Sequence, residues 1–237
     1  MKINNFITKI LKIAGFGERR CINCLAPFEY SETQIYLCAD CEKKLKSYRG
    51  AACPVCGEPF MQEICLPCLK GRPWDHLAFY GLYAGELRDL IRRLKYDGEL
   101  IISVFLASLL FETSSCLPRP DVIIPLPQYP PNLRKRGFNQ THEIARFLAK
   151  FTGFPLGMDY LFRIRHKNSQ ASLKREARKL NVKNDFISSS QVDGKEIWLV
   201  DDVMTTGSTL EAAANSLKMA GCGKISLLIV ARTPYYG

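Results

Sequence analysis

Apolar residues recur along most of the chain in two patterns, one typical of amphipathic helices and one typical of buried strands. After residue 73 the two patterns alternate. This alternation predicts an α/β domain with a mostly parallel sheet and helices on both faces. The predicted strands cover residues 77–83, 121–125, 197–200 and 225–230, and the predicted helices cover residues 87–98, 100–112, 139–151 and 208–220.

The first 16 residues carry a separate amphipathic pattern. Lysines occupy the other faces of a helix whose apolar side is formed by Ile3, Phe6, Ile7, Ile10 and Ile13. We expect this helix to dock on the rest of the protein, although a basic amphipathic helix also suits a membrane surface or a partner. No apolar run approaches the roughly 20 residues that span a bilayer, so we expect no transmembrane segment.

Eight of the ten cysteines form four Cys-x-x-Cys pairs in the first third of the chain. Two pairs complete a tetrahedral Cys₄ zinc site with no open position, which predicts about two structural ions. We expect the first pair to join the second, and the third to join the fourth. Interleaved pairing, a single metal ion, disulfides, redox pairs and iron–sulfur ligation are the alternatives. The predicted ligands are Cys21, Cys24, Cys38, Cys41, Cys53, Cys56, Cys65 and Cys68, whereas Cys116 and Cys222 are predicted to be core residues.

The formal net charge is +10, and the excess is concentrated between residues 131 and 181, where twelve Lys or Arg accompany three Asp or Glu. A solvated surface is the ordinary explanation of such a segment. The functional interpretation is a site for phosphates, either of a nucleotide or of a nucleic acid backbone.

One segment combines several features of a phosphate-binding site. The predicted strand at 197–200 leads into Asp201 and Asp202, then a Thr-Thr-Gly-Ser-Thr turn and a predicted helix. Open α/β folds bind ligands at this edge of the sheet. The hydroxyls, the glycine and the helix N-terminus favour a phosphate, whereas the carboxylates favour ribose hydroxyls or Mg²⁺. A Mg²⁺-only site and an ordinary capped helix are the alternatives.

The string from Val200 to Thr209 resembles the phosphoribosyl-diphosphate signature of type I phosphoribosyltransferases. Further strings at residues 94–98, 125–127, 134–140 and 169–181 resemble the ComF/ComFC competence proteins, which combine a cysteine-rich ribbon with this fold. The resemblance implies that Asp201 and Asp202 hold the ribose hydroxyls of phosphoribosyl diphosphate, bound with Mg²⁺. It also implies that the 5-phosphate is held by Met204, Thr205, Thr206, Gly207, Ser208 and Thr209.

The resemblance gives the basic region two alternative roles, around pyrophosphate or along single-stranded DNA. The candidate residues for either role are Arg134, Lys135, Arg136, Arg165, Gln170, Arg175 and Arg178. The three histidines, His76, His142 and His166, are predicted to be structural or surface residues. No acceptor pocket or catalytic residue is identifiable from the sequence.

The resemblance also implies a biological role in the uptake of transforming DNA, beside a helicase-like partner. We therefore expect a cytoplasmic protein, or one held peripherally at the inner face of the membrane. The alternative function is an active phosphoribosyltransferase with an unidentified acceptor in nucleotide metabolism. The predicted domains are an amphipathic helix at 1–17, a double zinc ribbon at 18–72 and a phosphoribosyltransferase-like domain at 73–237.

Overall fold

A four-stranded parallel sheet forms the centre of the computed structural model, which describes residues 20–28, 35–128, 133, 137–164 and 185–234. The strands of the described residues, in chain order, are β1 (His76–Leu82), β2 (Val122–Pro125), β3 (Leu161–Arg163), β4 (Phe186–Ser188), β5 (Ile197–Met204) and β6 (Ile225–Arg232). The parallel sheet has the order β1-β6-β5-β2, and β3 and β4 form a separate antiparallel pair. The α-helices are α1 (Ala39–Lys44), α2 (Gly85–Arg92), α3 (Ile101–Thr113), α4 (Gln140–Thr152) and α5 (Ser208–Met219).

Successive residues of the central strands pack into two different hydrophobic cores. Leu228 and Val230 of β6 face a core shared with α3 and α4, whereas Leu227 and Ile229 face a core shared with α5. Every residue of β6 is buried, as expected for a parallel strand covered on both faces. The predicted parallel sheet with helices on both faces is confirmed.

Helix α3 is apolar on nearly every face because other elements enclose it. Eight of its 13 residues are buried. Its Phe105 ring lies 5.2 Å from the ring of Tyr36 in the cysteine-rich region, measured between centroids. Among the helices of the described residues, none combines the length and hydrophobicity that crossing a bilayer requires.

Two local features differ from the predicted elements. The helical pattern that begins at Leu87 is divided between α2 and a π-helical turn over Arg93–Asp97, which ends at Gly98 with a φ of 71°. The β3–β4 pair is absent from the predicted elements, because each strand is only three residues long. The amphipathic helix predicted within residues 1–16 lies outside the described residues.

Candidate functional site

A cavity of about 270 Å³ opens at the carboxyl end of β5, beside the start of α5. Asp201, Asp202 and the 204–209 loop (residues 204–209) line it. Further lining residues come from distant parts of the chain: Lys95, Leu126, Pro127, Gln128, Gln140, Thr141 and Arg163. The residues predicted to bind a ribose phosphate therefore lie around one space, together with groups from four other segments.

The 204–209 loop connects the end of β5 to the first residue of α5. Gly207 has a φ of 77°, a left-handed conformation that is costly for any residue with a Cβ. A Cβ at this position would also lie 2.6 Å from Met204 Cε. Thr206 Oγ1 accepts a 3.4 Å hydrogen bond from the Ser208 N–H, which closes the turn. The loop thus lines the cavity with hydroxyl groups and a helix N-terminus, an arrangement suited to a phosphate.

Two side chains from distant segments hold the Asp202 carboxylate. Gln140 Nε2 donates a 2.9 Å hydrogen bond to Asp202 Oδ2, and the Lys95 ammonium lies 3.5 Å from the same oxygen. Gln140 Oε1 in turn accepts a 2.5 Å hydrogen bond from Gln128. Because Asp202 is buried, these partners offset part of the cost of desolvating its charge and hold it in one orientation.

Gln140 and Thr141 reach the cavity because α4 begins beside it. Asn139 caps this helix, since its side-chain oxygen accepts a 3.0 Å hydrogen bond from the Thr141 N–H. The side-chain nitrogen of Asn139 donates to the Leu126 carbonyl at 3.3 Å. The cap therefore ties the start of α4 to the residue that follows β2.

The Asp201 carboxylate is in an environment that disfavours its charge. Burial and the neighbouring Asp202 raise the pKa of Asp201 to about 8. The Asp202 N–H at 2.9 Å, the Lys95 charge and the Thr141 hydroxyl at 3.4 Å act in the opposite direction. A cation or a hydroxyl donor beside the two carboxylates would favour their ionised forms.

Arg163 is a cavity residue that the sequence analysis did not select. Its guanidinium lies 5.3 Å from the ring centroid of Phe186, and its Nε has no hydrogen-bond partner among the described residues. Its position within the basic segment of residues 131–181 was the signal that could have identified it. The predicted candidates of the basic region lie outside the described residues: Arg134, Lys135, Arg136, Arg165, Gln170, Arg175 and Arg178.

The histidines contribute nothing to the described wall of the cavity. His76 and His142 lie among the described residues and neither is a lining residue, whereas His166 lies outside them. Burial lowers the pKa of His142, which favours its neutral form. The described wall therefore offers groups for binding rather than a histidine for acid–base chemistry.

The eight paired cysteines form two groups of four, and all Sγ atoms of a group lie within 4.8 Å of one another. The first cysteine cluster consists of Cys21, Cys24, Cys38 and Cys41, and the second consists of Cys53, Cys56, Cys65 and Cys68. This confirms the predicted sequential pairing and excludes interleaved pairing. Outside the clusters, Cys222 is buried as predicted, but Cys116 is exposed just after α3, so the prediction of a core position for Cys116 is wrong.

The sulfur positions fit a tetrahedral zinc ion. A Zn–S bond of about 2.3 Å requires sulfurs about 3.8 Å apart. The Sγ atoms of Cys24 and Cys38 are 3.7 Å apart, and those of Cys56 and Cys65 are 3.5 Å apart. A disulfide would require about 2.05 Å. Each cluster therefore suits one structural zinc ion with no open coordination position.

The two clusters repeat one backbone turn. The carbonyl of Cys21 accepts a hydrogen bond from the Leu25 N–H, and the carbonyl of Cys53 accepts one from the Gly57 N–H, each at 2.9 Å. Burial raises the pKa of Cys21 and Cys53, but backbone N–H groups turned toward their sulfurs outweigh it and lower both pKa values to about 7. These hydrogen bonds favour the thiolate, which is the form that binds metal.

Two family models match successive parts of the chain. A double zinc ribbon domain matches residues 16–70, a range that includes both cysteine clusters. A phosphoribosyl transferase domain matches residues 136–236, a range that includes α4, β5 and the 204–209 loop. The first match covers the cysteine-rich region, and the second covers β5 and β6 of the parallel sheet but not β1 or β2.

Curated bacterial relatives align along nearly the whole chain. Competence protein F of Haemophilus influenzae is 32% identical over 230 residues, covering 92% of this chain and 99% of that protein. DNA utilization protein YhgH of Salmonella typhi is 32% identical over 223 residues, covering 90% and 96%. Competence protein ComFC of Bacillus subtilis is 30% identical over 232 residues, covering 88% and 93%. Because these proteins align over almost their full lengths, the chain belongs to the family of competence protein F and ComFC.

Proposed function

We propose that this protein binds phosphoribosyl diphosphate with Mg²⁺ and handles single-stranded DNA during natural transformation. The observation that carries the first part is the cavity at the carboxyl end of β5. Two carboxylates line it together with a hydroxyl-rich turn and a helix N-terminus. A ribose phosphate presents hydroxyl donors that suit the carboxylates and an anion that suits the turn.

Each part of the donor has a partner of suitable chemistry. Asp201 and Asp202 accept hydrogen bonds from the ribose hydroxyls. The 204–209 loop receives the 5-phosphate through its hydroxyls and backbone N–H groups. The guanidinium of Arg163 adds a positive charge to the cavity wall, where it attracts the negatively charged diphosphate.

Asp201 is the residue that we expect beside Mg²⁺. Carboxylate and phosphate oxygens are the ligands that Mg²⁺ prefers. Asp202 is already held by Gln140 and Lys95, whereas Asp201 has a raised pKa that a nearby cation would lower. The ion would supply positive charge that favours both Asp201 and the diphosphate in their ionised forms.

A thermal-shift titration tests the donor site. A ligand at about 100 times its Kd stabilises the folded protein by about 2.7 kcal/mol. For a chain of this length, that free energy corresponds to a rise of roughly 5–10 °C in Tm. The double variant Asp201→Asn/Asp202→Asn should fold and show no rise. A matched variant, Asp121→Asn at the opposite end of the sheet, should respond like the wild type; a wild type that does not respond contradicts the proposal.

The DNA role is supported by the relatives and by charge. The relatives include a competence protein F and a DNA utilization protein, and this chain carries twelve basic residues between residues 131 and 181. Basic residues can follow the phosphates of a single strand. We place Arg134, Lys135, Arg136, Arg165, Gln170, Arg175 and Arg178 on this path, with a helicase-like competence protein as the partner.

Salt-dependent binding tests the DNA role. The logarithm of the association constant for single strands falls with the logarithm of the salt concentration by about 0.7 per phosphate neutralised. Arg134→Ala/Arg136→Ala should therefore weaken binding and reduce that slope by about 1.4. The control Arg88→Ala/Arg92→Ala removes the same charge from exposed positions on α2 and should change the slope less. Equal effects of the two double variants would reject a local path through residues 134–136.

A further inference from the structure

One buried arginine joins the second cysteine cluster to the 204–209 loop. Arg232, the last residue of β6, is 2% exposed. On the cluster side, its Nε donates a 3.1 Å hydrogen bond to the Cys56 carbonyl, and its Nη2 donates a 2.6 Å bond to Glu58. On the loop side, its Nη1 donates to the Met204 carbonyl at 3.2 Å and to the Thr205 carbonyl at 2.5 Å.

The ion pair between Arg232 and Glu58 fixes the orientation of the guanidinium more than it stabilises the fold. The side chains of Arg232 and Glu58 are each only 3% exposed. Desolvating two charges costs about as much as their attraction returns, and well-packed apolar residues often stabilise such a position equally well. Apolar residues cannot supply the donors of a planar guanidinium, which here serve five acceptors: the Cys56, Met204, Thr205 and Thr233 carbonyls and the Glu58 carboxylate.

The hydrogen bonds from Arg232 help to fix the directions of the loop carbonyls and so of the neighbouring N–H groups; the Met204 carbonyl also accepts a 3.0 Å hydrogen bond from the Thr233 N–H. In a planar trans peptide, the C=O and the N–H of the next residue point in opposite directions. Because the Met204 and Thr205 carbonyls are directed toward Arg232, the N–H groups of Thr205 and Thr206 are directed away from it. Both threonines line the cavity. The arginine thereby orients two of the donors that a phosphate in the cavity would use.

A second set of contacts joins the segment after the second cluster to Gly207 and to the first turn of α5. Arg72, four residues after Cys68, forms a 2.5 Å ion pair with Glu211 in the first turn of α5. Trp74 donates a 2.6 Å hydrogen bond to the Val55 carbonyl between two cluster cysteines. The Trp74 ring also packs beside Gly207, 3.7 Å from where a Cβ would lie. These contacts lie beside the loop at Gly207 and just beyond it at Glu211.

We propose that Arg232 is a positioning residue through which the fold of the second cysteine cluster sets the conformation of the 204–209 loop. That conformation in turn sets the affinity of the cavity for a phosphate-bearing ligand. This role rests on the proposed binding of phosphoribosyl diphosphate. The first cysteine cluster has a different connection: Arg93 donates to the Asn23 carbonyl at 3.0 Å, beside the segment that carries Lys95. The second cluster alone reaches the loop through a single guanidinium among the described residues.

The test compares variants of the full-length, zinc-loaded protein by two readouts. Arg232→Met/Glu58→Met removes the pair without leaving a lone buried charge, and Arg232→Lys keeps the charge but not the fork of donors. Glu58→Gln retains Arg232 and serves if the double variant does not fold. Val230→Ala, a buried change two residues earlier on β6, is the control for a general loss of stability.

The first readout is the affinity for phosphoribosyl diphosphate with Mg²⁺, measured by calorimetry well below every Tm. We expect Kd to rise at least tenfold in the double variant and by smaller factors in Arg232→Lys and Glu58→Gln. Val230→Ala should lower Tm and leave Kd within twofold of the wild type. A purely structural arginine would lower Tm with no change in Kd, and that result overturns the proposal.

The second readout needs no ligand and separates this proposal from the proposed function. The ¹⁵N–¹H resonances of residues 205–209 should shift or broaden in the Arg232 variants and stay in place in Val230→Ala. If they respond but the wild type binds no phosphoribosyl diphosphate, the proposed function falls and the positioning of the loop stands. If they do not respond, the positioning role falls whatever the ligand.

Discussion

Asp201→Asn should stabilise the protein when no ligand is present and abolish the binding of phosphoribosyl diphosphate. Burial and the Asp202 carboxylate raise the pKa of Asp201 from 3.8 to about 8. The unfolded chain loses this proton at the ordinary pKa, while the folded protein retains it to higher pH. Asp201 therefore makes the wild type progressively less stable as the pH rises from about 4 to about 8. Asparagine has nearly the same shape as aspartate, but its side chain does not ionise.

The size of the effect follows from the same pKa. Each pH unit between the ordinary pKa and pH 7 lowers the free energy of unfolding of the wild type by about 1.4 kcal/mol. The roughly three units therefore limit the gain from Asp201→Asn to about 4 kcal/mol. Asp201 keeps some solvent exposure, which screens its charge, and we expect about half of the ceiling, ~2 kcal/mol. In a chain of this length, ~2 kcal/mol raises Tm by about 4–8 °C.

Differential scanning calorimetry at pH 5, 6, 7 and 8, without ligand, measures this directly. The Tm of Asp201→Asn should exceed that of the wild type by a margin that grows with pH. Asp159→Asn, which replaces an exposed carboxylate outside the cavity, should follow the wild-type profile. A Tm for Asp201→Asn below the wild type, or a margin that does not change with pH, would refute the reasoning.

Three further predictions concern the clusters and turnover. Leu25 and Gly57 occupy matching positions with φ of 62° and 65°, so Leu25→Gly should add up to about 1 kcal/mol to the free energy of unfolding in chemical denaturation, whereas Gly57→Ala should remove about 2 kcal/mol. A less stable Leu25→Gly or a more stable Gly57→Ala would contradict the repeated turn. Metal analysis should find two zinc ions per chain in the wild type and one in either Cys24→Ser or Cys56→Ser, and an unchanged zinc content in either variant would exclude that cysteine as a ligand. Incubation with phosphoribosyl diphosphate, Mg²⁺ and a panel of nucleobases tests turnover: pyrophosphate release that requires one base would establish the transferase alternative, and no release above background would exclude it for that panel.

The features predictable from sequence are those encoded locally. The four cysteine pairs are visible because both ligands of a knuckle are three residues apart, and sequential pairing is the arrangement with the shortest loops. The loop from Asp201 to Thr209 is visible because strand, carboxylates, turn and helix follow one another without a gap. Local order of this kind specifies backbone geometry directly.

The features that sequence reasoning missed depend on long-range contacts. Glu58 and Arg232 are 174 positions apart, and nothing near either residue distinguishes it from a surface charge. Lys95 and Gln140 lie in strings that resemble relatives, but only the fold brings both to Asp202. Cys116 is predicted to be a core residue because it lies outside the four cysteine pairs, yet it follows the last turn of α3 and is exposed. Spacing along the chain carries no signal for such contacts.

The most direct test of the account is a crystal structure of the protein with phosphoribosyl diphosphate and Mg²⁺. We expect the 5-phosphate within hydrogen-bond distance, about 2.7–3.2 Å, of N–H and hydroxyl groups in the 204–209 loop. The ribose hydroxyls should contact Asp201 and Asp202. A ligand bound elsewhere, or a cavity that stays empty at saturating donor, would contradict the central claim that this loop and these carboxylates form a ribose-phosphate site.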